Sequence, residues 1–167
     1  MSNRFYRILI IGLMATCFSH TSLVTTAVAE RLVSRIELHP IKTETLSSSE
    51  FLSGEKQGSS DTIAGELRMP SGIKGRMPAV VLMHGGAGIT TNINPWAFEL
   101  NDIGIAAFII DSFTGRGFKE GRVPLSQVCS LTMIVDAFRA LELLANHPRI
   151  DPARIALMGF SRGGGAA

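Results

Sequence analysis

The chain contains three short, uninterrupted apolar runs that have the length of buried β-strands. Runs without polar alternation are typical of parallel strands that are covered on both faces. Each run is followed by a glycine-rich or polar segment, so we expect the three strands to end at the same edge of one sheet. The runs are 79–83, 105–110 and 155–158.

Two further strands are predicted earlier in the chain from weaker patterns. Apolar residues alternate with polar or small ones over 63–69 and stop at Pro70, as in a strand with one buried face. A first strand is expected over 32–38, although the alternation there is imperfect. Between them, residues 43–61 are rich in Ser, Glu and Gly, which predicts a solvated surface connection.

Helical periodicity is clearest over 125–146, where apolar residues recur three and four positions apart until Pro148 ends the pattern. A shorter helix is predicted over 94–102, closing at Gly104. Strands that alternate with helices predict an α/β fold, with a mostly parallel sheet and helices on its faces. The apolar positions of the long helix are Val128, Leu131, Ile134, Val135, Phe138, Leu141 and Leu144.

Residues 1–29 have the pattern of a cleaved export signal. Arg4 and Arg7 precede an apolar stretch at 8–18, and residues 27–29 supply a small-x-small cleavage site. The apolar stretch is short for a bilayer span, so an uncleaved membrane anchor is the weaker alternative. We therefore expect an exported protein, periplasmic or secreted.

Removal of that segment changes the charge and the cysteine content. It takes away two arginines and no acidic residue, which leaves 14 of the 16 basic side chains and all 14 acidic ones. A neutral chain gives no electrostatic reason to expect nucleic acid or an anionic membrane as a partner. Cys129 becomes the sole cysteine, so no internal disulfide is expected, and we interpret it as a small core residue of the long helix. Lipid attachment at Cys17 is disfavoured because Thr16 precedes it.

The third apolar run leads directly into Gly159-Phe160-Ser161-Arg162-Gly163, the Gly-x-Ser-x-Gly pattern of a nucleophile elbow. A serine on a sharp strand-to-helix turn needs glycine two positions before and after it, because side chains there would collide. Such a turn lifts the Ser161 hydroxyl above the sheet and directs the N–H group of Arg162 at a bound acyl oxygen. A plain glycine-rich turn is the weaker alternative.

A second glycine-rich segment, 84–88, follows the first apolar run. In a hydrolase this loop supplies the second oxyanion donor, because glycine lets backbone N–H groups approach a ligand closely. The order of strand, glycine-rich loop, helix, strand and Asp111 also fits a dinucleotide-binding unit. That fingerprint requires Gly-x-Gly-x-x-Gly, and Thr91 occupies its last glycine position, so the nucleotide interpretation is the weaker one.

Asp111 ends the second apolar run and is followed by the loop 112–118, at the sheet edge where α/β proteins build their sites. Arg116 in this loop has the donors to bind a substrate carboxylate through two parallel hydrogen bonds, and a solvated arginine is an equally supported alternative. Asp111 is interpreted as a structural acid at the end of its strand.

Taken together, segments 79–88, 111–117 and 151–164 resemble the dienelactone hydrolase family of the α/β-hydrolase superfamily. The likeness covers most of residues 62–167. It implies an α/β-hydrolase-type sheet and a hydrolytic activity that needs no cofactor.

The resemblance also implies roles for particular residues. Ser161 would be the nucleophile, and the N–H groups of Arg162 and Gly86 would form the oxyanion hole. Arg116 lies near the position of the family's carboxylate-binding arginine. His84 is expected to order the oxyanion loop rather than to act as a base.

Two departures from the family alter the expected activity. The family's namesake has a cysteine nucleophile and a glutamate in the loop after the central strand, where this sequence has Ser161 and Gly85. We therefore expect a serine esterase that acts on a small-molecule ester or lactone, in place of dienelactone hydrolysis itself.

The acid and the histidine of the superfamily's triad follow the nucleophile, and only residues 162–167 follow Ser161 here. We therefore expect the sheet to be truncated just after the elbow and the chain to be inactive alone. The expected organisation is a signal peptide at 1–29, a strand and polar connection at 30–61, and a partial hydrolase domain at 62–167.

Three functions are compatible with these patterns. The favoured one is an exported serine hydrolase, the second is a non-catalytic binding protein with the same elbow, and the third is a nucleotide-binding oxidoreductase. No metal site is predicted, because the sequence has neither a histidine pair at helical spacing nor a cysteine pair.

Overall fold

A computed structural model describes residues 35–54, 58–90, 92–119 and 122–167. The signal peptide predicted at 1–29 lies outside these residues. None of the helices within the described ranges has the length and apolar character needed to cross a membrane.

The described residues form one mixed sheet of five strands. The strands are β1 (Arg35–Thr45), β2 (Ser59–Met69), β3 (Met77–Met83), β4 (Ala106–Asp111) and β5 (Ile150–Gly159). Their spatial order is β1-β2-β4-β3-β5; β2 is antiparallel to both β1 and β4, whereas β3 is parallel to both β4 and β5. The predicted α/β architecture, a sheet with flanking helices, is confirmed, and the parallel part of the sheet consists of β4, β3 and β5.

The central strands carry continuous apolar runs because both of their faces are covered. In β4, Phe108 and Ile110 belong to one buried cluster, whereas Ala107 and Ile109 belong to another. Successive side chains of a strand point to opposite faces, so the two clusters lie on opposite sides of the sheet. Each side is therefore packed against a helix.

Three α-helices lie within the described residues: α1 (Ser48–Ser53), α2 (Ile93–Asp102) and α3 (Ser130–Ala145). Helix α2 covers one face of the sheet through Ile93 and Ala97, which are fully buried. Helix α3 covers the other face with a stripe of buried apolar residues at helical spacing. The stripe consists of Met133, Ala137, Ala140 and Leu144.

The segment 43–61 is more ordered than its polar composition predicted. It contains the end of β1, all of α1 and the start of β2. Helix α1 begins at a capping box, in which the Ser47 hydroxyl accepts from the N–H group of Glu50 and the Glu50 carboxylate accepts from that of Ser47. The Ser-x-x-Glu spacing was the sequence signal for α1, which has no buried residue of its own.

Three further features differ from the predictions: the start of α3, the position of Cys129 and the start of β5. Helix α3 begins at Ser130, five residues later than predicted. Val128 is buried but lies in the loop before the helix, and its position happens to match the spacing of the apolar residues in the helix. Cys129 is the N-cap of α3 and is half-buried, rather than a core residue within the helix. Strand β5 begins at Ile150, and the predicted turn at 151–152 is an irregularity inside that strand, where its register with β3 shifts.

Arg116 forms a buried ion pair with Asp136 of α3. The two side chains are 3% and 0% exposed. Two hydrogen bonds of 2.8 Å join the guanidinium to the carboxylate, and the remaining N–H groups donate to Thr45 Oγ1 and to the carbonyl oxygens of Ser112 and Glu44. Every N–H group of Arg116 thus has an acceptor inside the protein. This geometry corrects both roles expected for Arg116, because it leaves no donor for a substrate carboxylate and no exposure to solvent.

Breaking this ion pair is expected to destabilise the fold strongly, because the remaining charge would stay buried without its partner. We expect Arg116→Met and Asp136→Leu each to lower the free energy of unfolding by about 3–5 kcal/mol. The double variant should lose much less than the sum of the two, since two apolar side chains can occupy the site together. Urea unfolding of the wild type, the two single variants and the double variant measures these differences.

Arg139→Met is the matched control, because Arg139 is 42% exposed and pairs with Glu142 at the protein surface. We expect this variant to change the free energy of unfolding by less than about 1 kcal/mol. Additive losses in the Arg116→Met, Asp136→Leu double variant would show that the two buried groups do not stabilise each other.

Candidate active site

The chain turns sharply at Ser161, two residues after the end of β5. Ser161 has a φ of 52°, and it is the sole non-glycine residue with a positive φ in the described part of the chain. Such a backbone conformation costs on the order of 1–3 kcal/mol and persists only where the surroundings enforce it. The residue is also exposed. A strained, exposed serine between a strand and a helical turn is the geometry of a nucleophile elbow.

The glycines on either side of Ser161 are required by close backbone contacts. A Cβ atom on Gly159 would overlap the carbonyl group of Gly163. A Cβ atom on Gly163 would lie 2.5 Å from the carbonyl oxygen of Met83 and 2.6 Å from that of His84. The elbow therefore packs backbone against backbone at the end of β3, with no room for a side chain.

Hydrogen bonds fix the elbow on both sides of the serine. Before it, the N–H group of Phe160 donates to the carbonyl oxygen of Met83 at 3.0 Å, which extends the β3–β5 ladder by one residue. After it, the N–H group of Gly163 donates to the carbonyl oxygen of Phe160 at 3.0 Å. A 3₁₀ turn, Gly163–Gly165, follows. Ser161 is thus held where the strand becomes a helical turn.

The glycine-rich loop after β3 passes directly beside the serine. A Cβ atom on Gly85 would lie 3.4 Å from Cβ and 3.9 Å from Oγ of Ser161. The N–H group of Gly88, which has a φ of 80°, donates to the carbonyl oxygen of Gly85 at 3.1 Å and closes the loop. The structure therefore brings the predicted elbow and the predicted oxyanion loop together.

His84 is buried beneath this loop, and both of its ring nitrogens are engaged. Its Nε2 accepts a hydrogen bond of 3.1 Å from the N–H group of Ser112, so the ring proton is assigned to Nδ1, which donates to the carbonyl oxygen of Gly85 at 2.7 Å. The ring also packs edge-on against Phe113 at 4.5 Å. Burial lowers the pKa of His84, which favours the neutral ring. In this geometry His84 fixes the loop to the end of β4.

The side chain of Arg162 braces the segment that leads into α3. Its guanidinium donates to the carbonyl oxygens of Val123 at 2.6 Å and Val128 at 3.0 Å. Gly86 packs against this guanidinium, and a Cβ atom there would lie 3.0 Å from its Nη2. Burial and the positive charge of Arg122 lower the pKa of Arg162. The side chain is thus structural, and it leaves the backbone N–H group as the part of Arg162 available to a ligand.

Two backbone donors beside Ser161 have no acceptor on the described residues. They are the N–H groups of Gly86, which is itself buried, and of Arg162. A buried N–H group nearly always has a partner, so that of Gly86 is expected to bind a ligand oxygen, and the N–H group of Arg162 is available to the same atom.

A cavity of about 240 Å³ opens next to Ser161 and includes the oxyanion loop. Its volume is below the roughly 300–1,000 Å³ of complete small-molecule sites. Two of its polar lining residues, Arg122 and Asn92, were not found by sequence reasoning, because neither lies in a motif. The lining residues are Gly85, Gly86, Ala87, Gly88, Thr90, Asn92, Arg122, Phe160 and Ser161.

Asp111 stabilises the turn that follows β4. Its Oδ1 accepts hydrogen bonds of 3.0 Å from the N–H groups of Phe113 and Thr114. Burial acts to raise the pKa of Asp111, but hydrogen bonds from Thr114 and Phe113 bring it below its usual value. The ionised carboxylate therefore holds the loop that carries Ser112.

Comparisons with known proteins bear on the fold of this chain. No protein-family model matches the chain. A curated protein, the thiohydrolase aneE of Aspergillus aculeatus, is 35% identical over 91 residues, which cover 54% of this chain and 28% of that protein.

Several solved structures share the fold. A Klebsiella pneumoniae protein assigned as a dienelactone hydrolase has a TM-score of 0.51 and 17% identity, over 75% of this chain and 50% of its own. Est1E from Butyrivibrio proteoclasticus, solved with ferulic acid bound, has a TM-score of 0.53 and 19% identity, over 62% of this chain and 41% of its own. A bacterial brefeldin A esterase has a TM-score of 0.50 and 20% identity, over 79% of this chain and 33% of its own.

The chain therefore has the fold of the α/β-hydrolases, including those of the dienelactone hydrolase type. It spans half or less of the length of these related proteins.

Gly163→Ala is expected to destabilise the protein, because the added methyl group would meet two carbonyl oxygens that belong to the backbone and cannot swing away. We expect a loss of about 1–3 kcal/mol in the free energy of unfolding, measured by urea denaturation. Gly165→Ala is the matched control in the same turn, since nothing lies within 4 Å of its added Cβ atom. That variant should be neutral or slightly stabilising. Equal effects of the two changes would argue against the packing described for the elbow.

Proposed function

We propose that Ser161 is the nucleophile of a hydrolase that cleaves carboxylic esters, and that the N–H groups of Gly86 and Arg162 form its oxyanion hole. The observation that carries this proposal is the strained backbone of Ser161, with a φ of 52°. Ser161 also lies against the glycine-rich loop, in which the N–H group of Gly86 has no acceptor on the described residues. Strain of this kind is found where a side chain must be held for chemistry.

In the proposed reaction, Ser161 Oγ attacks the carbonyl carbon of the ester while a histidine takes the hydroxyl proton. The N–H groups of Gly86 and Arg162 donate to the carbonyl oxygen as it becomes negative. The alcohol then leaves with the proton from the histidine. Water attacks the acyl-enzyme in the same way, which releases the carboxylic acid and restores the serine hydroxyl.

The base for this reaction is not among the three histidines that the structure describes. Both ring nitrogens of His84 bind the backbone, and His39 and His147 contact Glu37. We therefore propose that the triad histidine and acid come from a part of the protein outside this chain. In support, the chain matches 28% of the thiohydrolase and 50% of the Klebsiella pneumoniae protein.

Two other functions, and a second class of substrate, are distinguishable from ester hydrolysis. A non-catalytic binding protein would keep the elbow and the cavity but would lack a base altogether. The relationship to a thiohydrolase favours thioesters as a second class of acyl donor, because the same acyl-enzyme forms from either substrate. A nucleotide-binding oxidoreductase is disfavoured, since the strained turn at Ser161 would have no role in it.

A fluorophosphonate probe, which reacts with activated serine hydroxyls, is expected to label the full-length protein at Ser161. Ser161→Ala should abolish labelling and lower the turnover of a chromogenic ester by about 10⁴-fold or more, because the nucleophile is lost. Mass spectrometry of the labelled peptide and initial rates measure the two effects.

Ser71→Ala is the control, because Ser71 is an exposed serine in the turn between β2 and β3. It should leave labelling and turnover unchanged. Turnover that survives Ser161→Ala would overturn the nucleophile assignment. Ester hydrolysis by residues 1–167 alone at the rate of the full-length protein would overturn the proposal of an external base. A folded protein that binds the ester without labelling would support the binding function.

We also propose that residues 1–29 export the protein and are then removed. Expression in a bacterial host should yield a periplasmic or secreted chain that begins at Glu30, as measured by N-terminal sequencing. Ala29→Phe should block processing, because signal peptidase requires a small residue at that position, whereas the neighbouring Val28→Phe should not. A mature chain that begins at Met1 or at Cys17 would refute this proposal.

A further inference from the structure

Glu37, His39 and His147 form a compact cluster at the end of β5 opposite to Ser161. Nε2 of His147 lies 3.0 Å, and Nε2 of His39 3.2 Å, from the same oxygen atom, Oε2 of Glu37. One possible ligand atom from each of the three residues lies within 4.8 Å of the other two. Two imidazoles and one carboxylate that converge on a point are a set of ligands that zinc uses in proteins.

The backbone positions all three side chains without help from the cluster. Glu37 and His39 are two residues apart on β1, so they point to the same face of the sheet. His147 lies in the turn between α3 and β5. There its N–H group donates to the carbonyl oxygen of Leu144 at 3.0 Å, and its own carbonyl accepts from Ile150 at 3.2 Å.

The His39 ring lies between two other rings, those of Phe108 and His147. The centroid of the His39 ring lies 6.1 Å from that of Phe108 and 5.9 Å from that of His147. Gly65 pairs opposite His39 in the sheet, and a Cβ atom on Gly65 would overlap the Phe108 ring. The missing side chain at Gly65 therefore lets the Phe108 ring occupy the space beside His39.

We propose that Glu37, His39 and His147 bind a divalent transition metal, with zinc as the expected ion. Zinc binds imidazole nitrogen and carboxylate oxygen at about 2.0–2.2 Å, so neighbouring ligand atoms of a tetrahedral site are about 3.3–3.6 Å apart. The separations of 3.0 and 3.2 Å from Glu37 Oε2 need to widen by only a few tenths of an ångström. A water molecule would complete the tetrahedron.

The surroundings favour an ionised, accessible carboxylate. Nε of Arg35 contacts Oε1 of Glu37 at 2.8 Å and leaves Oε2 directed at the two histidines. The side chains of Glu37, His39 and His147 are 20%, 23% and 9% exposed, so an ion can enter from solvent.

Metal binding at His147 would break one hydrogen bond. Its Nδ1 accepts a hydrogen bond of 3.2 Å from the N–H group of Arg149, so the neutral ring carries its proton on Nε2. A metal on Nε2 moves that proton to Nδ1, and the N–H group of Arg149 must then be released. The amide of Arg149 is therefore a direct reporter of metal at His147.

The bound ion would connect β1, at the edge of the described sheet, to the turn that leads into β5. Its expected effect is therefore on the stability of this edge, not on chemistry at Ser161. Sequence analysis found no metal site because Glu37 and His147 are 110 residues apart, which no local spacing rule connects.

Calorimetric titration of the metal-free, full-length protein with zinc chloride tests this proposal. We expect one zinc ion per chain and a rise of roughly a few degrees in the unfolding midpoint at saturation. Cobalt(II) should give the visible absorption of a four-coordinate site without the charge-transfer bands of a thiolate ligand. The NMR signal of the Arg149 amide should shift on zinc addition, whereas magnesium chloride should produce none of these changes.

Glu37→Gln, His39→Ala and His147→Ala should each weaken zinc binding by about 100-fold or more, because each removes a ligand. Glu37→Gln preserves the shape of the side chain, so it remains informative if a histidine variant fails to fold.

Cys129→Ser and Glu142→Gln are the controls, for the free thiol and for an exposed carboxylate, and should bind zinc as the wild type does. Zinc binding that survives Glu37→Gln, or that is lost in Cys129→Ser, would overturn the proposal, as would no binding by the wild type. Glu37, His39 and His147 would then form only a hydrogen-bonded cluster.

Discussion

The close approach of two backbones at the end of β3 determines most of what this chain presents at the edge of its sheet. Gly163 lies against the carbonyl groups of Met83 and His84, and Gly159 lies against Gly163 itself. At that contact, the chain passes from β5 into the following turn through a left-handed conformation at Ser161. Strain of this kind persists only where the surrounding packing enforces it, and here the turn is packed backbone against backbone on the end of β3.

Two arginines fix the surroundings of this contact, and neither is free to bind a ligand with its side chain. Arg116 joins the end of β1 and the loop after β4 to Asp136 of α3. Arg162 joins the elbow to the segment before α3. The two edge strands of the described sheet are thus connected to this region by charged hydrogen bonds. Arg116 connects the end of β1 to α3, and Arg162 connects the turn after β5 to the loop before α3. Such bonds are stronger than neutral ones when they are buried.

The sequence predicted the parts of the structure whose cause is local. The apolar runs of β3 and β4 are continuous because both faces are covered, and the glycines around Ser161 are needed for a steric reason that spacing alone reveals. The partner of Arg116 could not be predicted, since Asp136 lies on a helix that only tertiary packing brings near. The start of α3 was predicted too early. Val128 lies in the preceding loop and is buried there, and an apolar loop residue can have the same spacing as the apolar residues of a helix. The cluster around Glu37 was missed for the same reason as Asp136.

The backbone N–H group and the carbonyl group of Val123 both form hydrogen bonds. Its N–H group donates to the carbonyl oxygen of Gly86, and its own carbonyl oxygen accepts from Arg162. This buried residue therefore links the glycine loop to the side chain of Arg162, through a third segment of the chain. A graft that replaces the loops at the mouth of the cavity should consequently keep the backbone of Val123 in place, because its loss would leave the Gly86 carbonyl and the Arg162 guanidinium without this partner.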